Sequence, residues 1–251
     1  MKKENNELLH RFLKIASKGY VKGVNNNTNS IGLTFENLIG KTADSKFLPD
    51  YKDVEIKCTS RFSRYPISLF SYAFDGKNEY EMNRLLLKYG KKDVDFAERY
   101  QLQGPLYCKK MTKINDNYFK LDVKTDESKI FLSVYDLEKN LIESEAYIDI
   151  DNLKERIKVK LSNLCIVHAS KKKIDNDLHF RYYKIAFYEL INLDTFINLI
   201  KNDNLNIFIC GRVSRSGSEM GIQKNKNIVF KIPKDNISLL FEKTYEYNFT
   251  N

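Results

Sequence analysis

Between Pro49 and Lys57 the chain reads PDYKDVEIK, and the alternation that closes this stretch leaves the backbone little choice. Val54, Ile56 and Cys58 are apolar, while Glu55 and Lys57 between them are charged. A half-buried strand accommodates that period of two, with one face packed and the other polar. Neighbours on one strand face lie roughly 6.5–7 Å apart, so a cation held by Glu55 and an ammonium from Lys57 can reach one phosphodiester. Asp50 follows Pro49, whose fixed φ sets the turn into the strand, and approaches the same cation from the strand's start. Mg²⁺ takes hard oxygen ligands and keeps several waters, so the two carboxylates of Asp50 and Glu55 are enough protein for it. The competing reading is a half-exposed strand with a cross-strand ion pair, because D-x4-E-x-K arises by chance where 30% of residues are charged.

The segment before the strand, NSIGLTFENLIG, adds a third carboxylate. Phe35, Leu38 and Ile39 recur at helical spacing and predict a buried stripe, with Gly40 as the stop. Glu36 sits roughly 100° round that helix from Phe35, off the stripe and turned toward a cleft.

These residues carry a family resemblance. TGxGxTxExLLG-like segments, a PDF-type turn and an IE(I/L)K strand mark the MvaI/BcnI family of Type II restriction endonucleases, relatives of MutH among the PD-(D/E)XK nucleases. The chain resembles them in NTNSIGLTFENLIG, LPDYKDVEIK, ISLFSYAF and KYGKKD, over Asn27 to Asp93 and more weakly to its end. Ser30 and Tyr51 depart from the pattern without touching the charged set. The resemblance implies an α/β fold: a restriction-endonuclease-like mixed β-sheet flanked by helices, two-lobed, with a β-rich DNA-recognition lobe. Residues 1–160 are expected to form the catalytic lobe and 161–251 the recognition lobe packed on it, the alternative being one two-lobed domain.

The activity it implies is Mg²⁺-dependent hydrolysis of double-stranded DNA at a specific sequence, with Mn²⁺ able to substitute. Asp50, Glu55 and Ile56 hold the metal, Lys57 orients the water or stabilises the transition state, and Glu36 takes a second metal or a water ligand. A monomer that nicks one strand at a time is implied, with a cognate DNA methyltransferase in the same system. A MutH-like repair nickase and a DNA-binding protein without chemistry are the alternatives.

Charge and composition agree with a nucleic-acid partner. Lys plus Arg number 42 against 33 Asp plus Glu, a formal +9, which suits phosphate neutralisation. Hydrophobic residues at 42% and aromatics at 13% support an ordered globular chain. Cys58, Cys108, Cys165 and Cys210 form no CxxC pair and have no zinc-like spacing with His10, His168 or His179, so they read as reduced core residues of a cytoplasmic protein. The charged start MKKENNELLHRFLKIA predicts an amphipathic helix rather than a signal peptide, and no stretch is long enough to span a bilayer.

Downstream, Arg61 and Arg64 follow the strand and are candidates to grip phosphate or a base edge. A strand over ISLFSYAF and a helix from Tyr80 to Tyr89 come next, followed by a β-rich section over residues 104–147 and a helix from Asp151 to Leu161. LSNLCIVHAS and HFRYYKIAFYEL are strands around a charged loop, Lys171 to Asp177, and Asn192 to Lys201 is a helix. NIFICGRVSRSGSEMGIQKNKNIVFKI then forms two strands. Arg212, Ser214, Arg215, Lys224 and Lys226 lie close together on that ribbon and are the candidate DNA-reading set, with Arg212 and Arg215 best suited to guanine. His168 and His179 read as structural or surface histidines, with a general-base role as the alternative.

Overall fold

The period-two stretch from Val54 to Ser60 is the edge strand of a five-stranded sheet in the structure, a computed structural model that describes residues 1–41, 48–76, 80–215 and 217–250. In chain order the helices are α1 (Lys3–Ala16), α2 (Ser30–Leu38), α3 (Glu81–Tyr89), α4 (Ile150–Leu161), α5 (Leu193–Lys201) and α6 (Ile237–Leu240). The strands are β1 (Val21–Lys22), β2 (Val54–Ser60), β3 (Ile67–Tyr72), β4 (Lys91–Lys92), β5 (Tyr100–Leu106), β6 (Thr112–Ile114), β7 (Asn117–Lys124) and β8 (Lys129–Tyr135). β9 (Leu141–Glu143), β10 (Tyr147–Asp149), β11 (Asn163–Ile174), β12 (Asp177–Leu190), β13 (Asn206–Val213), β14 (Gln223–Ile232) and β15 (Phe241–Asn248) complete them. The result is the expected mixed α/β architecture of sheets flanked by helices.

Two compact units interleave in sequence. Met1–Ile67, Glu155–Leu193 and Lys234–Asn251 form one; Ser68–Lys154 and Asp194–Pro233 form the other. A boundary at residue 160 does not separate them, because it falls inside α4, which continues from one into the other. The physical reason is the parallel pairing of β2 with β11, from Val54 opposite Asn163 to Ser60 opposite Ala169. Parallel neighbours need a crossover, and here the crossover contains most of the second unit.

The first unit holds the sheet β1-β12-β11-β2, with β15 also on β12. Its core joins Leu8, Phe12 and Ile15 of α1 to Phe35, Ile39, Val54, Ile56, Val167, Tyr182 and Phe187. Phe35 packs its ring 5.1 Å from that of Tyr182, whose hydroxyl donates to the Ile31 carbonyl at 2.7 Å. Gly40, with φ +76°, follows α2 as the anticipated stop. Leu38 departs from its expected place and is 37% exposed, since it lies roughly 100° from Ile39, which faces the core. Lys171–Ile174 lie within β11, and only Asp175 and Asn176, both at positive φ, make the turn to β12.

The second unit holds two sheets, β10-β8-β7-β6 with β9 on β8, and β3-β14-β13-β5-β4. Met82, Leu85, Leu86 and Tyr89 of α3 are buried as their spacing predicts. A Cβ on Gly211 of β13 would stand 2.8–2.9 Å from the Met82 and Leu86 side chains, which shows how closely α3 approaches the sheet. All four cysteines are free thiols, but only Cys165 is fully buried. Among the described residues no helix is long and apolar enough to cross a membrane.

Candidate active site and nucleic-acid interface

Tyr51 and Val54 exchange backbone hydrogen bonds of 3.0 and 2.8 Å around Lys52, which accepts a φ of 53°. This turn brings Asp50 back along the edge of β2 that β11 does not cover. Alternate residues of a strand direct both backbone groups to the same edge. Val54 spends its pair on Tyr51; two residues on, the Ile56 N–H donates to Asp50 Oδ2 at 3.0 Å. The Ile56 carbonyl therefore opens on the edge where the Asp50 carboxylate sits. Local sequence and strand geometry thus unite two of the expected ligands.

Glu55 and Lys57 share the face opposite Val54 and Ile56, as the alternation requires. That face is not open: the Glu55 side chain is only 1% exposed. Lys57 Nζ stands 2.5 Å from Glu55 Oε1, and Lys160 Nζ stands 2.7 Å from Oε2. Lys160 also donates to the Leu48 carbonyl at 2.5 Å, tying the residue before Pro49 to the strand. On the Asp50 side, Lys41 donates to Oδ1 at 2.6 Å and lies 3.6 Å from Glu36 Oε2. Three carboxylates and three ammonium groups alternate, with a formal sum of zero.

The three carboxyls respond differently to this setting. Burial pushes Glu55 above the ordinary range, opposed by Lys57 and Lys160 and reinforced by Asp50. Glu36 is also raised, by burial and then by the Asp50 charge, with Lys41 opposing. Burial acts on Asp50 in the same sense, but Lys57, Lys41 and the Ile56 N–H outweigh it and hold that carboxyl low. The neighbouring Cys58 thiol is pushed up by burial and by Glu36 and Asp50, so it is a protonated packing group rather than a nucleophile.

Asp50 and Glu55 already direct oxygens at ammonium ions, and Ile56 adds a carbonyl, which fits an ion that retains water ligands. Among the described residues no three His, Cys, Asp or Glu side chains form a metal-holding group. Glu36 is linked to Asp50 through Lys41 instead of joining Asp50 and Glu55 as a trio. Lys41 and Lys160 were missed by the sequence reading: each lysine looks like a solvated charge until the fold places it.

Arg61 and Arg64 are exposed in the turn after β2, the Arg61 guanidinium 5.5 Å from the Phe62 ring centroid. In the other unit, Arg212 is exposed on β13 opposite Lys224 of β14. Ser214 lies in the connection, its N–H donating to the Ile222 carbonyl at 3.0 Å. Lys224 pairs with Glu219. Lys226 lies on β14, but its side chain is outside the described residues. Arg215 is engaged internally, with Nη1 donating to Asp93 Oδ1 at 2.9 Å and to Asp95 Oδ2 at 2.6 Å, and Nη2 to Asp93 Oδ2 at 2.5 Å. It acts as a clasp on the hairpin connection. Burial works to raise the Asp93 carboxyl, but the N–H groups of Asp95 and Phe96 with Arg215 and Gln101 hold it low. His168 on β11 is kept neutral near pKa 4 by burial and by Lys184 and Lys234, in accord with a structural role.

Comparison with known proteins bears on the family and the fold of the chain. A sequence profile of the MvaI/BcnI restriction endonuclease family matches residues 9–241. Restriction endonuclease MvaI in a complex with its cognate DNA substrate has a similar fold, with a TM-score of 0.89, 21% identity and full coverage of both chains. MvaI in the absence of DNA matches with a TM-score of 0.59 and 21% identity, covering 97% of this chain and 98% of the other. None of the curated proteins compared matches the chain.

Proposed function

Because the chain belongs to the MvaI/BcnI restriction endonuclease family, we propose that it hydrolyses double-stranded DNA at the β2 edge, using Mg²⁺ held by Asp50, Glu55 and the Ile56 carbonyl. The observation that carries this reading is the 3.0 Å bond from the Ile56 N–H to Asp50 Oδ2, which aligns carboxylate and carbonyl on one strand edge beside Glu55 and Lys57. A divalent ion bound there polarises a phosphate oxygen and lowers the pKa of a coordinated water. Asp50 is kept ionised by its cationic neighbours and presents negative oxygen at neutral pH. Lys57 offsets the charge that builds on the phosphoryl oxygens or orients the incoming water. Glu36 holds a water or a second ion, and Mn²⁺ substitutes for Mg²⁺.

The unit containing β2 is the catalytic one in this reading, and the unit containing β13 and β14 reads sequence. The enzyme acts as a cytoplasmic monomer, nicks one strand at a time, and is partnered in its host by a methyltransferase that protects the same site. Arg61 and Arg64 grip phosphates beside the cut.

Digestion of unmodified genome-sized DNA with Mg²⁺, with Mn²⁺ and with chelator tests the proposal. Defined fragment ends that require the divalent ion are expected, and a supercoiled plasmid should pass through an open-circular form before it becomes linear. Asp50→Ala, Glu55→Ala and Lys57→Ala should bind DNA and fail to cut. Normal cutting by a folded variant would remove that residue from the mechanism.

A further inference from the structure

The sheet β3-β14-β13-β5-β4 has one face packed on α3, because the Gly211 Cα–Cβ direction leads to Met82 and Leu86. Cys210 and Arg212, its neighbours on β13, must therefore face the opposite way. Cross-strand partners share a face, and three registers extend it: Arg212 opposite Lys224, Cys210 opposite Gln103, and Lys91 opposite Gln101. Lys91, Gln101, Gln103, Cys210, Arg212 and Lys224 thus form one row across the sheet. Lys91, Gln103 and Arg212 are exposed.

Two amides in this row are held in a fixed sense. Asp93 is 4% exposed, is held ionised by its hydrogen-bond donors, and so only accepts hydrogen bonds. It accepts from Gln101 Nε2 at 2.5 Å, which turns the Gln101 amide so that Oε1 faces Gln103 and accepts from Nε2 of that residue at 3.3 Å. The relay spends one N–H of Gln103 and leaves its Oε1 and second N–H. One acceptor beside one donor is the complement of N6–H and N7 of adenine in the major groove.

We propose that this sheet face, rather than the hairpin connection alone, reads the DNA sequence, with Gln103 bonding an adenine edge, Arg212 a guanine edge, and Gln101 positioning Gln103. The proposal rests on the reading of the chain as a site-specific DNA enzyme. It also relieves Arg215 of a recognition role, since that guanidinium is bound to the carboxylate that anchors the relay. Lys91 and Lys224 supply positive charge to the flanking phosphates. Gln103 and Arg212 are diagonal neighbours roughly 7–8 Å apart. Base pairs stack about 3.4 Å apart, so the two side chains address bases within about two steps of each other.

Selection of bound duplexes from a randomised DNA library in chelator, followed by sequencing, tests this without cleavage. The wild-type chain should enrich one sequence. Gln103→Ala should lose roughly tenfold to a hundredfold of its discrimination at a single A·T pair, with other positions retained. Gln101→Leu should relax the same pair by a smaller factor, because the freed Gln103 amide can reverse. Arg212→Ala should relax a G·C pair nearby. An unchanged preference in Gln103→Ala, or no preference in the wild-type chain, would overturn the proposal. A wild-type chain that selects a sequence but does not cut it with Mg²⁺ would instead defeat the hydrolytic reading of the β2 edge and leave this one standing.

Discussion

Replacing Lys160 by methionine removes one ammonium group and little volume. In the native chain that group is 8% exposed and lies between Glu55 Oε2 at 2.7 Å and the Leu48 carbonyl at 2.5 Å. Its loss leaves a buried carboxylate oxygen without its cation and a carbonyl without its donor. Removing one partner of a buried ion pair typically costs about 3–5 kcal/mol. Glu55 keeps Lys57 on its other oxygen, which favours the lower end of that range, and the unpaired carbonyl adds about 1 kcal/mol. A loss of about 3–4 kcal/mol is therefore expected, a large part of the roughly 5–15 kcal/mol that stabilises an ordinary domain. Urea unfolding followed by far-ultraviolet circular dichroism reads it directly. Adding Glu55→Gln to Lys160→Met should recover about 2 kcal/mol, because the buried charge disappears with its partner. A single variant that loses less than about 1 kcal/mol, or a double variant no more stable than the single, would refute the reasoning.

Two further outcomes concern a paired carboxyl and a core ring. Burial alone would raise the Glu143 carboxyl, but Arg84, Lys88 and Tyr89 outweigh it and hold it at about 2, against 4.5 for the free group. A depressed carboxyl stabilises the fold above about pH 4.5 and loses that contribution as pH falls toward 2. Stability measured between pH 5.5 and 2.5 should fall steeply, and Glu143→Gln should flatten the slope; an unchanged slope would contradict the pairing. Phe35→Ala, fully buried against Tyr182, should cost about 3–5 kcal/mol in the same unfolding assay, and a loss under about 1 kcal/mol would mean the site is not packed as described.

Local periodicity made much of the molecule legible before any coordinates. Alternation over Val54–Cys58 located β2 and its two faces, and the 3.6-residue spacing of Met82, Leu85, Leu86 and Tyr89 located α3. These patterns report which face of an element is buried, and that information lies in consecutive residues. The same logic placed Arg212 on a strand pair, and the resemblance over Asn27 to Asp93 pointed to the family that the profile match confirms. Two expectations failed: Leu38, placed on the buried stripe, is exposed because its neighbour Ile39 takes that face of α2, and Lys171–Lys173, read as a loop, extend β11 because they pair with β12.

What the amino-acid order determined by itself was the main helices and strands, the charged edge from Asp50 to Lys57, and the family. What only the tertiary structure decided was the company those residues keep. Lys160 reaches Glu55 across more than a hundred positions of chain, and β2 pairs with β11 over a similar gap, so one boundary cannot divide the two units. Arg215 reaches Asp93, and Gln103 is ordered through Gln101, on a strand remote in sequence from the hairpin but paired with it in the sheet. A charged side chain looks solvated in sequence because its partner is not adjacent there. Only folding sets the distance between two such charges, and that distance determines whether they form a solvated surface, an ion pair or a site.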